Sequence, residues 1–436
     1  MNLTVHESKR FLMWESGEPF FYLGDTAWEL FHRCNRREAE MYLRDRAAKG
    51  FTVVQAVALA ELDGLHTPNP YGHTPLVDDD PLKPNEPYWQ HVDYIVDLAN
   101  RLGIVIGLLP TWGDKWNKKW GVGPEIFTPQ NARAYGEWIG NRYKGRRVLW
   151  ILGGDRSVEN EGHYATLRAM AAGIRAAVGR SQLISFHPMG QQHSSQYFHH
   201  DDWLDFNMVQ SGHIQNNENW KFITKDYHLS PVKPCMDAEP GYENMPSHFD
   251  PKNGFLSAHD VRKFAYWALF AGAHGHTYGC NEVWQMYLPG RKPELHAHLP
   301  WKEAIQLPGS RQVQYAKRLL LSRPFFERVP DQSLLACEEG AGAYHLRATR
   351  AADGSYAMVY LPLRRPVVVR MDKVAGRQAV AWWYDPRTGK AKRIGVFATQ
   401  GEQQFIPPPA PDGGDWVLVL DEEARRFPEP GKQAAD

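Results

Sequence analysis

In RRVLWILGGDRSVEN, residues 146–160, the apolar run Val148–Leu152 is followed at once by Gly153, Gly154 and Asp155. So short a continuous apolar run predicts a strand buried on both faces, as in a parallel sheet. The two glycines let the backbone turn sharply and leave room for something close by. A carboxylate at the exit of such a strand is costly to desolvate, so its presence asks for a use. In PCMDAEPGYEN, residues 234–244, Glu239 likewise stands at the end of a short apolar segment, just before Pro240. Hydrolysis of a glycosidic bond needs such a pair: one acid protonates the leaving oxygen, and one carboxylate attacks the sugar or activates water. Separations of about 5–5.5 Å belong to retaining pairs and about 6.5–9.5 Å to inverting ones. We assign Asp155 as general acid/base and Glu239 as nucleophile. The acid must stay protonated near neutral pH, so a desolvated position that raises its pKa is an asset.

Each assignment has a rival. Asp155 could cap the following turn or pair with Arg156. Glu239 competes with Glu243, four residues on, and with Asp237, which strand alternation points to the same side. The spacings His274-x-His276 and His296-x-His298 suggest a metal, but no further ligand is evident, so neither metal nor cofactor is expected.

The elements that must position this chemistry alternate along the chain. Strand-like segments occur at 20–28, 51–59, 104–114, 148–152, 182–188, 203–213, 231–244 and 273–284. Helical patterns cover 37–50, 88–103, 129–145, 162–179, 217–228 and 258–272, with Gly50 and Gly103 placed as helix stops. A Pro-rich loop spans 68–87. Eight strands alternating with helices predict an α/β fold, a (β/α)8 TIM barrel rather than an open doubly wound sheet. No G-x-G-x-x-G or G-K-[ST] loop follows the first strand, which argues against a bound nucleotide. After Pro324 the pattern changes to short strands separated by Gly, Pro and Asp. The expected division is therefore a catalytic barrel at 1–324, with a short N-terminal β segment, and a small all-β sandwich at 325–436. Its tail, 422–436, reads as a frayed terminus.

Reactive groups of such barrels sit at the carboxyl ends of the strands. Those ends supply Asp25 and Trp28, Gln55, Trp112 and Asp114, His187, Gln210 and His213, Tyr242 and Glu243, and Tyr278, Asn281 and Trp284 as candidate substrate contacts. Asp25 is open between a sugar-hydroxyl ligand and a structural hub. Trp112 and Trp284, in loops beside Gly113 and Asn281, are expected to stack on sugar rings. The set contains no plausible Ser-His-Asp arrangement.

Composition agrees with a carbohydrate partner. Aromatic residues make up 12 %, including 16 Trp and 19 Tyr. Lys+Arg and Asp+Glu both number 50, giving no electrostatic reason to expect nucleic acid or an anionic membrane. No apolar run approaches the ~18 residues of a membrane span. The four cysteines are too scattered for a zinc site or a disulfide framework, and reduced thiols are expected. The first residues lack an apolar signal region, so a cytoplasmic location is the expectation. Oligomeric state is left open.

PFFYLGDTAWELF (19–31), KGFTVVQAVAL (49–59), WILGGD (150–155) and the 234–244 stretch together resemble the family of apiosidase-like glycoside hydrolases. AWWYDPRTGKAKRIGVF (381–397) and PPPAPDGGDWVLVLD (407–421) resemble the small β domain that follows it, labelled a collagen-binding domain and expected to serve as lid or scaffold. The resemblance implies a (β/α)8 hydrolase related to retaining enzymes that release apiose-linked units from plant cell-wall pectin. The family's catalytic Asp and Glu fall on Asp155 and Glu239. The family's pectin-acting members are usually exported, and this chain shows no signal. The alternative from another class is a non-catalytic carbohydrate- or matrix-binding protein on the same scaffold.

Overall fold

The structure, a computed structural model, describes residues 2–410 and 414–432. Met1, part of the 407–421 stretch and the last four residues of the tail lie outside the described residues.

Eight parallel strands form the barrel: β1 (Tyr22–Thr26), β2 (Val53–Leu59), β3 (Val105–Thr111), β4 (Val148–Gly153), β5 (Ile184–His187), β6 (Asn207–Gln210), β7 (Cys235–Asp237) and β8 (Gly275–Tyr278). Their hydrogen-bonded order is β5-β4-β3-β2-β1-β8-β7-β6, and Tyr278 of β8 pairs with Asp25 of β1. The remaining seam is joined at one end, where Asp205 N donates to Ile184 O (2.9 Å) and Ser185 Oγ to Phe206 O (2.7 Å). A two-residue strand, Gln192–His193, folds back antiparallel on β6. The sixth and seventh strands are much shorter than the segments 203–213 and 231–244 read for them.

A helix follows each strand: α1 (Arg36–Ala48), α2 (Glu86–Arg101), α3 (Pro129–Tyr143), α4 (Glu161–Val178), α5 (Ser195–Phe198), α6 (Asn219–Tyr227), α7 (Ala258–Phe270) and α8 (Pro308–Leu321). Capping boxes at Asn35/Glu38, Thr128/Asn131 and Ser257/Asp260 start α1, α3 and α7 by satisfying their first free N–H groups. No helix among the described residues is long and apolar enough to cross a membrane.

One apolar cluster fills the barrel interior. It runs from an N-terminal three-stranded sheet (Leu3 and Leu12) through Val53, Leu149 and Met208 to Trp28, Trp112, Tyr242 and Trp284 at the mouth. A second cluster lies between strands and helices and continues into the C-terminal domain at Tyr360 and Val419.

That domain holds a six-stranded antiparallel sheet, with Arg328–Pro330 and Lys390–Ala398 as its edges. A two-stranded sheet, Val367–Arg370 with Glu402–Phe405, shares its core. It docks on α7 through stacked Tyr266 and Tyr360 (4.8 Å) and through Arg262, which donates to both oxygens of Asp415 (2.8 and 3.0 Å). None of its described residues lines the cavity at the barrel mouth. The tail, read as frayed, returns to the protein as far as Gly431. Phe427 lies on the core under the Arg323 guanidinium (5.0 Å), and buried Gly431 N donates to Ser322 Oγ (3.0 Å).

Candidate active site

Asp155 owes its position to the turn that ends β4. Gly153 (φ 96°), Gly154 (φ 95°) and Asp155 (φ 55°) are three consecutive residues with positive φ. A Cβ on Gly153 would stand 2.4 Å from His187 O, and one on Gly154 2.8 Å from Gly113 N. The glycines are therefore required twice, by backbone conformation and by close approach. Gly154 N donates to His187 O (3.2 Å) and Gly113 N to Gly154 O (3.1 Å), which ties the turn to the ends of β3 and β5. The capping role does not apply to Asp155, and its pairing with Arg156 is a long one. Asn160 caps α4. Arg156 spends its guanidinium on the carbonyls of Asn117 (3.0 Å) and Asp155 (2.8 Å) and on the Trp120 ring (3.8 Å), leaving the Asp155 carboxylate 3.8 Å away.

Glu239 lies just past β7 and is gripped by three side chains. Gln210 Nε2 donates to its Oε1 (3.0 Å), and His213 Nε2 stands 3.2 Å from the same atom. His187 Nε2 is 3.1 Å from Oε2. The Tyr242 N–H donates to His213 Nδ1 (3.3 Å), which leaves the imidazole proton on Nε2, directed at Glu239. The two carboxyls are thereby pushed apart in acidity. Burial raises Asp155 and the neighbouring Glu239 charge raises it further, to about 7. Burial also acts to raise Glu239, but hydrogen bonds from His187 and His213 outweigh it and hold the group at about 2.

Both carboxyls open on one cavity of about 560 Å³, a volume suited to a small ligand. Trp28, Trp112, Trp284 and Tyr242 supply its aromatic wall, with Trp28 and Trp112 5.2 Å apart at 53°. Among the described residues, Trp112 Nε1 and Gln210 Oε1 are buried with no hydrogen-bond partner. A wall of rings carrying an unpaired donor and acceptor is complementary to a sugar, which offers apolar faces edged with hydroxyls.

The remaining candidates divide. Trp28, Trp112, Gln210, His213, Tyr242 and Trp284 line the cavity, and His187 lies beneath it against Glu239. Gln55 is buried inside the barrel, accepting from Tyr22 Oη (2.9 Å) and donating to Ala238 O (3.3 Å). Asp114 pairs with Lys115 (2.7 Å) and accepts from Gly123 N (2.8 Å), so it shapes its loop instead of meeting substrate. Glu243 accepts from Tyr278 Oη (2.5 Å) and Gly309 N (2.9 Å), which removes both Glu243 and Tyr278 from the cavity. Asp237 accepts from Ser211 Oγ (2.7 Å) and Asn219 Nδ2 (2.9 Å). Asn281 braces Leu295 O (2.8 Å) and accepts from Trp284 Nε1 (3.3 Å), acting on the cavity only through its neighbours. His274 and His276 are buried, and no group of three metal-ligating side chains occurs among the described residues.

Asp25 is the structural hub. Arg46 Nε donates to its Oδ2 (2.6 Å), Tyr42 Oη bonds the same oxygen, and both charged partners are fully buried. Removing Asp25 leaves buried Arg46 with Asp45 (2.7 Å) as its one remaining counter-charge, so Asp25→Ala is expected to cost about 3 kcal/mol in denaturant unfolding. KM of the remaining folded enzyme should stay unchanged; a selective rise in KM at undiminished stability would return Asp25 to the substrate.

Glu61, Trp120, Met189, His248, Phe249 and Glu294 also line the cavity and were not among the candidates. Glu61 follows β2 closely, so the strand-exit rule was sufficient to find it. The other five stand on loops, whose paths hydrophobic periodicity does not determine.

A (β/α)8 barrel whose fourth and seventh strands bring two carboxyls, one raised and one lowered in pKa, to one aromatic-walled cavity has the form of a glycoside hydrolase. Residues 6–327 match the family model "Apiosidase-like, catalytic domain", and residues 329–421 match "Putative collagen-binding domain of a collagenase". The chain belongs to the apiosidase-like family. It is similar to the crystal structure of a glycoside hydrolase family 5 protein from Bacteroides vulgatus ATCC 8482, at 33 % identity and TM-score 0.91 over 100 % of this chain and 96 % of that one. A second solved structure, titled glycoside hydrolase, shares 35 % identity at TM-score 0.89, covering 97 % of each chain. No curated protein sequence matches the chain.

Proposed function

We propose that this enzyme cleaves its glycosidic bond with retention of configuration, through a covalent intermediate on Glu239. The observation that carries the two-carboxylate reading is that Asp155, from the end of β4, and Glu239, from just past β7, open on one aromatic-walled cavity. Glu239 is held ionised by His187 and His213, and Asp155 is raised by burial. Retention is supported by the chain's likeness to apiosidase-like and family 5 glycoside hydrolases. Glu239 attacks the anomeric carbon as the bond to the leaving oxygen breaks, and the Asp155 proton passes to that oxygen. Asp155, now a carboxylate, takes a proton from water. The resulting hydroxide displaces Glu239 from the anomeric carbon, restoring both groups. Gln210 and His213 hold the attacking carboxylate in one orientation, which lowers the entropic part of the barrier.

The substrate class proposed is apiose-containing or related plant cell-wall glycans, supported by the family's description and by the aromatic wall of the cavity. Turnover on a panel of aryl glycosides and apiose-bearing pectin fragments, with Glu239→Gln beside the wild type, tests this. Release of one sugar by the wild type alone is the expected result. Equal release by the variant would contradict it.

A further inference from the structure

Trp120 lines the cavity and is 39 % exposed, whereas Trp28, Trp112 and Tyr242 on the same wall are each 2 % exposed. The two carboxyls are graded in the same way. The Asp155 side chain is 23 % exposed and that of Glu239 7 %. The cavity therefore has a floor, where Glu239 lies among buried rings, and a mouth, toward which Asp155 and Trp120 stand. A sugar attacked by Glu239 sits at the floor, and the oxygen that Asp155 protonates leads outward from it.

Trp120 is fixed to the same segment as the acid. The Arg156 guanidinium stacks on the Trp120 ring (3.8 Å), donates to Trp120 O and Asn117 O (3.0 Å), and reaches Asp155 O (2.8 Å). Asn117 Nδ2 in turn donates to Ser157 O (3.1 Å). Gly113 makes room for this side chain, since a Cβ there would stand 2.2 Å from Arg156 Cγ. Arg156 is itself fully buried, so it covers one face of the Trp120 ring and the exposed area belongs to the other side. Phe249, also exposed at the mouth, stands instead over His213 (5.4 Å), on the Glu239 side. A large ring held rigid while much of its surface stays in water can stack on the apolar face of a sugar at small entropic cost.

We propose that Trp120 is the platform for the leaving group: its ring stacks on the sugar that departs with the oxygen protonated by Asp155, so the site recognises a sugar on both sides of the bond. This rests on the two-carboxyl reading of the same cavity and adds the chemical class of the leaving group.

The test compares an apiose-bearing pectin fragment, whose leaving group is a sugar, with apiosyl fluoride, whose leaving group is a fluoride ion. Hydrolysis of both is measured for wild type, Trp120→Ala and Trp120→Phe. Titration calorimetry with the same fragment and with free apiose is run on Glu239→Gln and on Glu239→Gln/Trp120→Ala. Trp120→Ala should lower kcat/KM roughly 10-fold on the fragment and only about twofold on the fluoride, and Trp120→Phe should recover most of the loss. The fragment should bind roughly 10-fold more weakly to the double variant, while the affinity for apiose moves by less than about twofold. Equal losses on fragment and fluoride, or the same fragment affinity in both Glu239→Gln proteins, overturn the proposal. So does a loss that Trp120→Phe does not recover and that comes with a shifted pH profile, because Trp120 would then act only through Asp155. If the wild type cleaves neither compound, the mechanism proposed for Asp155 and Glu239 fails, and the calorimetry still decides the platform.

Discussion

Glu239→Ala is expected to lose kcat by on the order of 10⁴-fold or more on an activated aryl glycoside, with turnover restored by added azide. The size of the loss follows from what the residue does. A nucleophile splits one difficult displacement into two easier ones, and without it the remaining groups can bind and polarise but cannot form the intermediate. Glu239 is ionised in place by His187 and His213, so the substitution removes an anion and leaves its two imidazoles facing the space vacated. Azide, a small anion, fits that charge arrangement and needs no proton removed before it attacks. A single displacement by azide gives a glycosyl azide of inverted configuration. Activity kept in full would take the nucleophile away from Glu239. Glu243 would not inherit the role easily, because Tyr278 and the Gly309 N–H hold both of its oxygens.

Asp155→Asn is expected to lower kcat/KM by about 10²–10⁴-fold for substrates with poor leaving groups, the range of general acid catalysis. Aryl leaving groups that depart as stable anions should lose much less in the glycosylation step. The pH dependence gives a sharper signature. Catalysis needs Glu239 ionised, which holds above about 2, and Asp155 protonated, which holds below about 7. The profile of kcat/KM should be level between these limits and fall as pH rises past 7, both limbs belonging to the coupled pair. Asparagine cannot titrate, so the variant should lose the alkaline limb. Persistence of that limb in Asp155→Asn would assign it to another group.

Strands that are apolar throughout were legible. Val53–Leu59 and Val148–Gly153 are buried along their whole length and lie within two residues of the segments 51–59 and 148–152 read from composition. Asp155 and Glu239 were legible for the same reason, since each stands where an apolar run stops. The same rule left Asp25 open. Tyr22 belongs to the interior cluster and Leu23 to the outer one, so alternation along β1 turns Asp25 outward to Arg46 and Tyr42 of α1. Buried salt partners on a distant helix leave no periodic mark. The short strands β6 and β7 were overextended because the apolar pattern continues into loop residues that pack at the mouth, such as Tyr242 and Met245. The His213–Glu239 contact joins residues brought together only by closure of the barrel.

The central claim is that Glu239 becomes covalently bonded to the sugar. Incubation with a 2-deoxy-2-fluoro glycoside bearing an activated leaving group, followed by peptide mass spectrometry, tests it most directly, because the fluorine slows the second displacement more than the activated first. The expected result is stoichiometric labelling of the peptide that carries Glu239, at that carboxylate, with matching loss of activity. A label on another carboxyl such as Glu61 or Glu243, or release of the inverted anomer from an unlabelled and active enzyme, would contradict it.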